Sequence, residues 1–328
     1  MSVISSRAPL RISLGGGGTD LPSYYRQHGG HLVSGAIDKY VYMLTHTVFQ
    51  RQYLMKYAQT EVVDEVSEIK HPILREALQR YWPGQPLEIA SVADVPAGTG
   101  LGSSGAFTVC LLKALARARQ TSIAPAALAE AASEIEIDVL KEPVGKQDTY
   151  VAAHGGICSY TFNPDDTVDV VPLELDANTL RRLRENLLLF YTGEARDASA
   201  VLGDQDERSR RGDKKMLENL HRTKELGHQS LGLLVAGDLD GYAELMHEHW
   251  ENKRRRSPGM VSERIDNLYT LARRSGAIGG KLVGAGGGGF LLVYARRPAD
   301  TRQAMAAAGS EELVFDFEFG GAYASIHG

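Results

Sequence analysis

The residues with the most chemical content stand in one run, Pro96-Ala-Gly-Thr-Gly-Leu-Gly-Ser-Ser-Gly-Ala106. Its glycines let the backbone turn sharply and approach a ligand with no Cβ in the way. An apolar, strand-like stretch (Leu87–Val92) precedes the run and a helical one (Ala106–Ala116) follows it. The run therefore ends on a helix N-terminus, where unpaired N–H groups and a partial positive charge favour an anion. Nucleotide phosphate suits such a cradle best. A P-loop would place a lysine after its last glycine, and none follows Gly102 or Gly105. Gly100-Leu-Gly-Ser-Ser-Gly105 has the spacing of a dinucleotide fingerprint. The second strand that such a fold needs about 20 residues on is replaced by Arg117-Ala-Arg-Gln-Thr-Ser122 and another helical pattern. A plain helix start with Ser103 as N-cap accounts for one serine and leaves the glycines unexplained.

A carboxylate in unusual surroundings lies downstream. Pro125–Leu140 reads as one helix with proline near its start. Leu128, Ala131, Ala132, Ile135 and Val139 form its apolar stripe, and Glu130, Glu134 and Asp138 recur on one flank as a solvated face. Glu136 stands one helical turn from both Ala132 and Leu140, among apolar neighbours. A carboxylate there needs a partner, and either a magnesium ion or a salt bridge would serve. Asp148, shortly after Gly145, reads on its own as a helix cap.

Three segments, spread in order along the chain, resemble the motifs of the GHMP small-molecule kinases (galactokinase, homoserine kinase, mevalonate kinase and phosphomevalonate kinase). They are Arg7–Asp20, Pro96–Ala106 and Lys281–Phe290, the second with Gly105 in place of the family's usual alanine. The resemblance implies ATP on Pro96, Gly98, Thr99, Gly100, Leu101, Gly102, Ser103 and Ser104. It implies Mg2+ on Ser104 and Glu136, and Asp148 as general base with Lys146 and Gln147 alongside. Arg11 would stabilise the migrating phosphoryl group. Asp20 would hold sugar hydroxyls beside Gly17, Gly18 and Thr19, with Gly286 and Gly287 in the same site. The four-glycine run before Asp20 suggests a wide wall with no side chains. The implied fold is α+β with two domains: a ribosomal-protein-S5-domain-2-like N-terminal domain over 1–180 and a ferredoxin-like C-terminal domain over 181–328.

Within that family, Ala8–Leu21, Ile37–Tyr42, Gly145–Tyr150 and Phe190–Gly193 are similar to the D-glycero-D-manno-heptose 7-phosphate kinases. This implies ATP-dependent phosphorylation of an anomeric hydroxyl, giving the 1,7-bisphosphate. A 1-kinase of fucose or of an octose phosphate, and a non-catalytic sugar or nucleotide sensor, are the alternatives. A substrate already phosphorylated needs a second basic site, for which Arg196, Lys253 and Arg254 are candidates.

At 328 residues the chain can form one large domain or two of ordinary size. A net charge of −5 gives no reason to expect nucleic acid. No apolar run approaches a membrane span, and the N-terminus lacks a signal-peptide core. The expectation is a cytoplasmic protein, monomer or homodimer, whose partner is a small sugar phosphate. Cys110 and Cys158 read as small core hydrophobes. His247 and His249 would diverge on a helix, which argues against a zinc pair. Arg254-Arg-Arg256 reads as a solvated face, and Tyr24-Tyr25 as either packing or substrate contact. The elements that must position these residues are strands at Leu10–Leu14, His31–Thr47, Ile157–Phe162, Val168–Leu173, Leu187–Thr192, Lys281–Val283, Phe290–Ala295 and Leu313–Phe319. Helices are expected at Lys70–Tyr81, Ala106–Arg119, Pro125–Leu140, over much of Asp204–His249, and at Val261–Ser275.

Overall fold

The structure is a computed structural model and describes residues 2–49, 51–194, 198–257 and 260–328. Its spine is a pair of long antiparallel strands, β1 (Val3–Gly15) and β2 (Gly30–Thr47), joined through α1 (Pro22–His28). β2 is long enough to serve two neighbours on its other side. Its second half pairs with β5 (Leu87–Ala93) and its first half with β6 (Ile157–Phe162). Beyond β5 lie β3 (Tyr53–Lys56) and β4 (Thr60–Val63), and beyond β6 lies β7 (Val168–Pro172). Helices α2 (Pro72–Tyr81), α3 (Ser103–Ala118), α4 (Pro125–Ser133) and α5 (Gln147–His154) pack with this sheet.

After α6 (Ala177–Asn186), a second antiparallel sheet runs in the order β8 (Leu187–Tyr191), β10 (Phe290–Ala295), β9 (Ala277–Leu282). Four helices separate β8 from β9: α7 (Ala198–Arg210), α8 (Lys214–Val235), α9 (Leu239–Arg254) and α10 (Glu263–Arg274). After β10 come α11 (Pro298–Ala307) and a short extended piece that bonds to β8. In it the Tyr191 N–H donates to Glu311 O and the Leu313 N–H to Leu189 O, each at 2.8 Å. This is ferredoxin-like connectivity. Helix α8 packs on β1 and β2, α9 packs on β9, and the buried Tyr242 hydroxyl donates to Leu14 O at 3.0 Å. The two halves therefore meet along these helices.

Three local expectations change. The alternating segment Leu313–Phe319 is not a continuous strand. Phe190↔Glu312 lies just before it and Ile37↔Phe317 within it, both isolated bridges, because the segment crosses from the second sheet to the first. An unexpected strand, β11 (Tyr323–His327), then pairs with β1 from Arg7↔Tyr323 to Val3↔His327. The end of the chain thus returns across the division at 180/181. Finally, α4 stops at Ser133 and Glu134–Val139 winds as a π-helical turn, with the Leu140 N–H donating to Ile135 O at 2.9 Å. Cys110 and Cys158 are free and buried. No helix among the described residues is long and apolar enough to cross a membrane.

Candidate active site

Strand alternation opens the site. Leu10, Ile12 and Leu14 of β1 are fully buried in the core, so Arg11 and Ser13 project from the other face. Both line a cleft shared with Asp20, Gln147 and Asp148. The Arg11 guanidinium donates from Nε to Asp148 Oδ1 at 2.7 Å, and Nη2 lies 2.6 Å from the same oxygen. Arg11 Nη1 donates to Gly100 O, and its backbone N–H donates to Leu101 O at 3.0 Å. One buried cation therefore ties the carboxylate to the glycine loop. Asp148 is the second residue of α5, and Lys146 occupies the cap position. Asp148 is thus not the helix cap, and its side chain remains 30% exposed toward the cleft.

Gly98, Gly100 and Gly102 have φ of +78°, +84° and +81°, the left-handed region that only glycine enters freely. Gly102, not Ser103, is the N-cap of α3, and it has no side chain with which to cap. The first-turn N–H groups are left for a ligand. The Ser103 hydroxyl is buried and has no partner among the described residues. A buried orphan hydroxyl beside an uncapped helix N-terminus fits a phosphate group. Pro96 and Gly98 lie exposed at the loop's outer end, while Thr99 is buried and donates to Pro96 O at 2.9 Å. The C-terminal glycine motif braces this loop from behind. A Cβ on Gly284 would lie 2.5 Å from Gly100 Cα, and one on Gly289 would collide with Thr99 O. Gly286 packs on Met260, and the Gly287 N–H donates to Met260 O at 2.9 Å. Of that motif, Lys281, Leu282, Gly284 and Ala285 line the cleft, and Gly286 and Gly287 do not.

Glu136 is 3% exposed and accepts hydrogen bonds from Ser104 Oγ and Thr108 Oγ1, each at 2.7 Å. The flanking acids behave as solvated ones. Glu134 faces Arg80 at 3.5 Å, Asp138 faces Arg26 at 3.8 Å, and all four side chains are well exposed. Burial pushes the Glu136 carboxyl up to about 7, against the pull of its two hydroxyl bonds. The π-turn that presents it is a helix irregularity frequent at functional sites. A buried carboxylate paired only with hydroxyls, next to a phosphate cradle, suits a hard divalent cation. No cluster of three or more His, Cys, Asp or Glu exists among the described residues. A magnesium ion here would therefore draw its remaining ligands from phosphate and water.

Asp20 is held by the N–H groups of Gly18 at 3.1 Å and Gln147 at 3.0 Å. Gly145 must be glycine, since any Cβ there would collide with Asp20 Oδ2. Burial raises the Asp20 pKa, opposed by the Gln147 bond. Thr19 turns inward to Gly16 O and His31 O, each at 2.9 Å, and fixes the loop. The four-glycine run is not an empty wall. Gly15 packs on Ser230 and Gly16 on the His31 backbone, and the space beside Gly18 is taken by the Arg256 guanidinium. Gln147 lines the cleft, whereas Lys146 turns away to Glu130 at 2.7 Å and Asp166 O at 2.9 Å.

The basic residues divide differently from expectation. Lys253 reaches the cleft. Arg254 does not: it lies on another face of α9, paired with Glu251 at 3.2 Å and Asp266 at 2.8 Å. Arg256, read as part of a solvated face, is 5% exposed and lines the cleft, as do His249 and Lys281. The signal was present in the sequence. His249, Lys253 and Arg256 stand at i, i+4 and i+7, the spacing of one helical face. Arg196 lies outside the described residues. Tyr24 and Tyr25 are fully buried and bonded to His221 at 2.7 Å and Asp166 at 2.6 Å, which makes them packing residues. His247 bonds the Tyr269 hydroxyl at 2.6 Å and diverges from His249.

Residues 69–156 match the family model of the GHMP kinases N terminal domain, and residues 230–312 match that of the GHMP kinases C terminal. The chain is 27% identical to the D-glycero-alpha-D-manno-heptose 7-phosphate kinase of Campylobacter jejuni over 97% of both proteins. It is 25% identical to the bifunctional fucokinase/GDP-fucose pyrophosphorylase of Arabidopsis thaliana, over 88% of this chain and 29% of that protein. Among solved structures, a D-glycero-D-manno-heptose 1-phosphate kinase from Bacteriodes thetaiotaomicron superposes with a TM-score of 0.80 at 24% identity, over 98% of both chains. That last likeness speaks for the fold alone.

Proposed function

The chain belongs to the GHMP kinase family, and from that premise we propose that it transfers the γ-phosphoryl group of ATP to the anomeric hydroxyl of a sugar phosphate. The substrate is D-glycero-D-manno-heptose 7-phosphate and the product the 1,7-bisphosphate. The observation that carries the reading is the Arg11–Asp148 pair, fastened to the carbonyl of Gly100 beside the uncapped start of α3. Phosphoryl transfer asks a protein mainly for positioning and charge neutralisation, and this pair supplies both next to a phosphate cradle.

Asp148 accepts the proton of the attacking hydroxyl. Arg11 fixes the carboxylate in one orientation and offsets the negative charge that builds during transfer. The free N–H groups of α3 and the Ser103 hydroxyl hold the ATP phosphates. Ser104 and Glu136 would hold Mg2+, which supplies charge neutralisation for those phosphates when bound. Asp20, oriented by two backbone N–H groups, accepts hydrogen bonds from sugar hydroxyls and aligns the ring. The similarity to the Campylobacter kinase over nearly its whole length supports a heptose phosphate.

A panel of heptose 7-phosphate, unphosphorylated heptose, fucose and galactose, with the product position read by 31P NMR, tests the substrate. Phosphorylation at a carbon other than C1 would overturn the anomeric assignment. Asp148→Asn should lower kcat by roughly 10²-fold or more, the scale of a lost general base, while ATP affinity is kept. Turnover close to that of the unaltered enzyme would leave Asp148 as a positioning residue only.

A further inference from the structure

Several basic groups of the cleft have no carboxylate within salt-bridge distance among the described residues, and only the longer-range field of Asp20 reaches Arg256. His249, Arg256 and Lys281 are each 5% exposed, and Lys253 stands beside them. Arg256 spends its guanidinium on neutral groups: Asn219 Oδ1 at 2.9 Å, Thr223 Oγ1 at 2.8 Å and Gln205 Oε1 at 3.3 Å. Lys253 Nζ donates to Leu282 O at 2.9 Å and to Gly284 O. Among the described residues, Lys281 Nζ has only Ser13 Oγ, at 3.5 Å. The His249 Nε2 atom is buried with no partner among the described residues. By contrast, Arg11 and Lys146, also buried cations among the described residues, each have a carboxylate within 2.7 Å.

Buried charge without countercharge is costly, and the cost persists only where something outside the protein removes it. We propose that Arg256, Lys281, Lys253 and His249 form a well for the phosphate dianion that the sugar carries away from its reacting hydroxyl. The proposal rests on the sugar-phosphate kinase reading and deepens it by assigning the second phosphate. Guanidinium and ammonium groups on several sides match a tetrahedral dianion. The well opens on the sugar side of the site, since Arg256 fills the space beside Gly18, next to Asp20. The nucleotide has its own cradle at Gly98–Ser104.

The groups facing Lys281 are Arg11, Arg256, Lys253, His249, Asp20 and Asp148. Burial, and then Arg11 and Arg256, lower the Lys281 ammonium to about 7. The free enzyme therefore holds this lysine partly neutral at pH 7.5. A dianion in the well restores the preference for the charged form, so binding takes up a proton.

Calorimetry in two buffers of different ionisation heat tests the proposal, with heptose 7-phosphate and unphosphorylated heptose as probes, together with steady-state kinetics. Arg256→Gln and Lys281→Met should each weaken heptose 7-phosphate about tenfold or more, the scale of a lost charge-assisted bond. KM for ATP and affinity for unphosphorylated heptose should change little. Lys281→Arg should keep the preference for the phosphorylated sugar and lose the proton uptake at pH 7.5. Melting curves of each variant, run alongside, check that the fold is kept. If KM for ATP rises as much as KM for the sugar phosphate, the cations serve the nucleotide and the proposal fails. Unchanged sugar-phosphate affinity in both neutral variants also overturns it, with the kinase reading intact. Should the enzyme phosphorylate neither heptose, the substrate reading falls, and inorganic phosphate becomes the probe. Binding lost in Arg256→Gln then supports the well, and binding retained refutes it.

Discussion

Glu136 meets only hydroxyls in the folded chain, and burial raises its carboxyl from the ordinary 4.5 to about 7. The folded protein thus holds that proton more tightly than the unfolded chain does. The stability that this group contributes is complete below pH 4.5 and is lost as pH rises through about 7. Glutamine cannot ionise. Glu136→Gln should therefore melt higher than the unaltered protein at pH 8 without nucleotide or metal, by an amount on the order of a few kcal/mol. The gap should close below pH 5, about where the unfolded group titrates. In activity the order reverses, with a higher magnesium requirement for the variant. Glu134→Gln, on the exposed flank, should be nearly silent in both assays. Melting curves across pH, and magnesium titrations of rate, check the pair. Equal behaviour of the two variants would mean that burial is not what distinguishes Glu136.

The junction of α3 and α5 makes a second test, at the scale of elements. Gly105 sits in the first turn of α3, where alanine would favour the helix by about 0.5–1 kcal/mol. Here a Cβ would lie 2.7 Å from Asp148 Cβ and 2.9 Å from both the Asp148 carbonyl carbon and the Thr149 nitrogen. Those atoms belong to the backbone and base of α5 and cannot swing aside. Overpacking of this kind costs about 1–3 kcal/mol, so the clash should outweigh propensity. Gly105→Ala should lower Tm and also kcat, because α5 carries Asp148 away from the loop. A higher Tm would show that α5 yields freely.

At the scale of the whole molecule, the candidate cleft is made from both halves. Arg11, Asp20 and Asp148 come from the first sheet and its helices, and His249, Lys253, Arg256 and Lys281 from α9, its end and β9. The chain's last strand adds a tie, since β11 closes the edge of β1. Its side chains are half-buried or exposed, so little apolar area is lost when it is removed. Deleting residues 322–328 should lower Tm modestly but leave β1 as a bare edge open to pairing with other copies. Light scattering during heating should show aggregation starting well before the full-length protein. Unchanged aggregation would mean that the β1 edge is protected without β11.

Local physics made part of this protein legible from its sequence. Left-handed turns call for glycine, so the alternation Gly98, Gly100, Gly102 announced the loop. Helical periodicity separated Glu136 from Glu134 and Asp138 because burial follows the face of the helix, even though the last turn winds as a π-helix. The alternation of β1 implied that Arg11 and Leu10 point oppositely. Other features depended on tertiary packing. Arg254 and Arg256 are chemically identical and two residues apart, yet one is paired at the surface and the other buried in the cleft. What separates them is where α9 ends and what α8 and the Gly18 loop set against it. Lys281 lies in a short strand between Gly280 and Leu282, and its charge acquires meaning only when Arg11 and Arg256 approach from elsewhere in the chain. The pairing of β11 with β1 joins the two ends of the sequence, and no local pattern encodes a contact between strands so far apart. The sequence by itself determined which residues could cradle phosphate and carry a proton. The tertiary structure alone decided which basic groups of the cleft lack a close carboxylate among the described residues, because burial and countercharge depend on neighbours that local spacing does not specify.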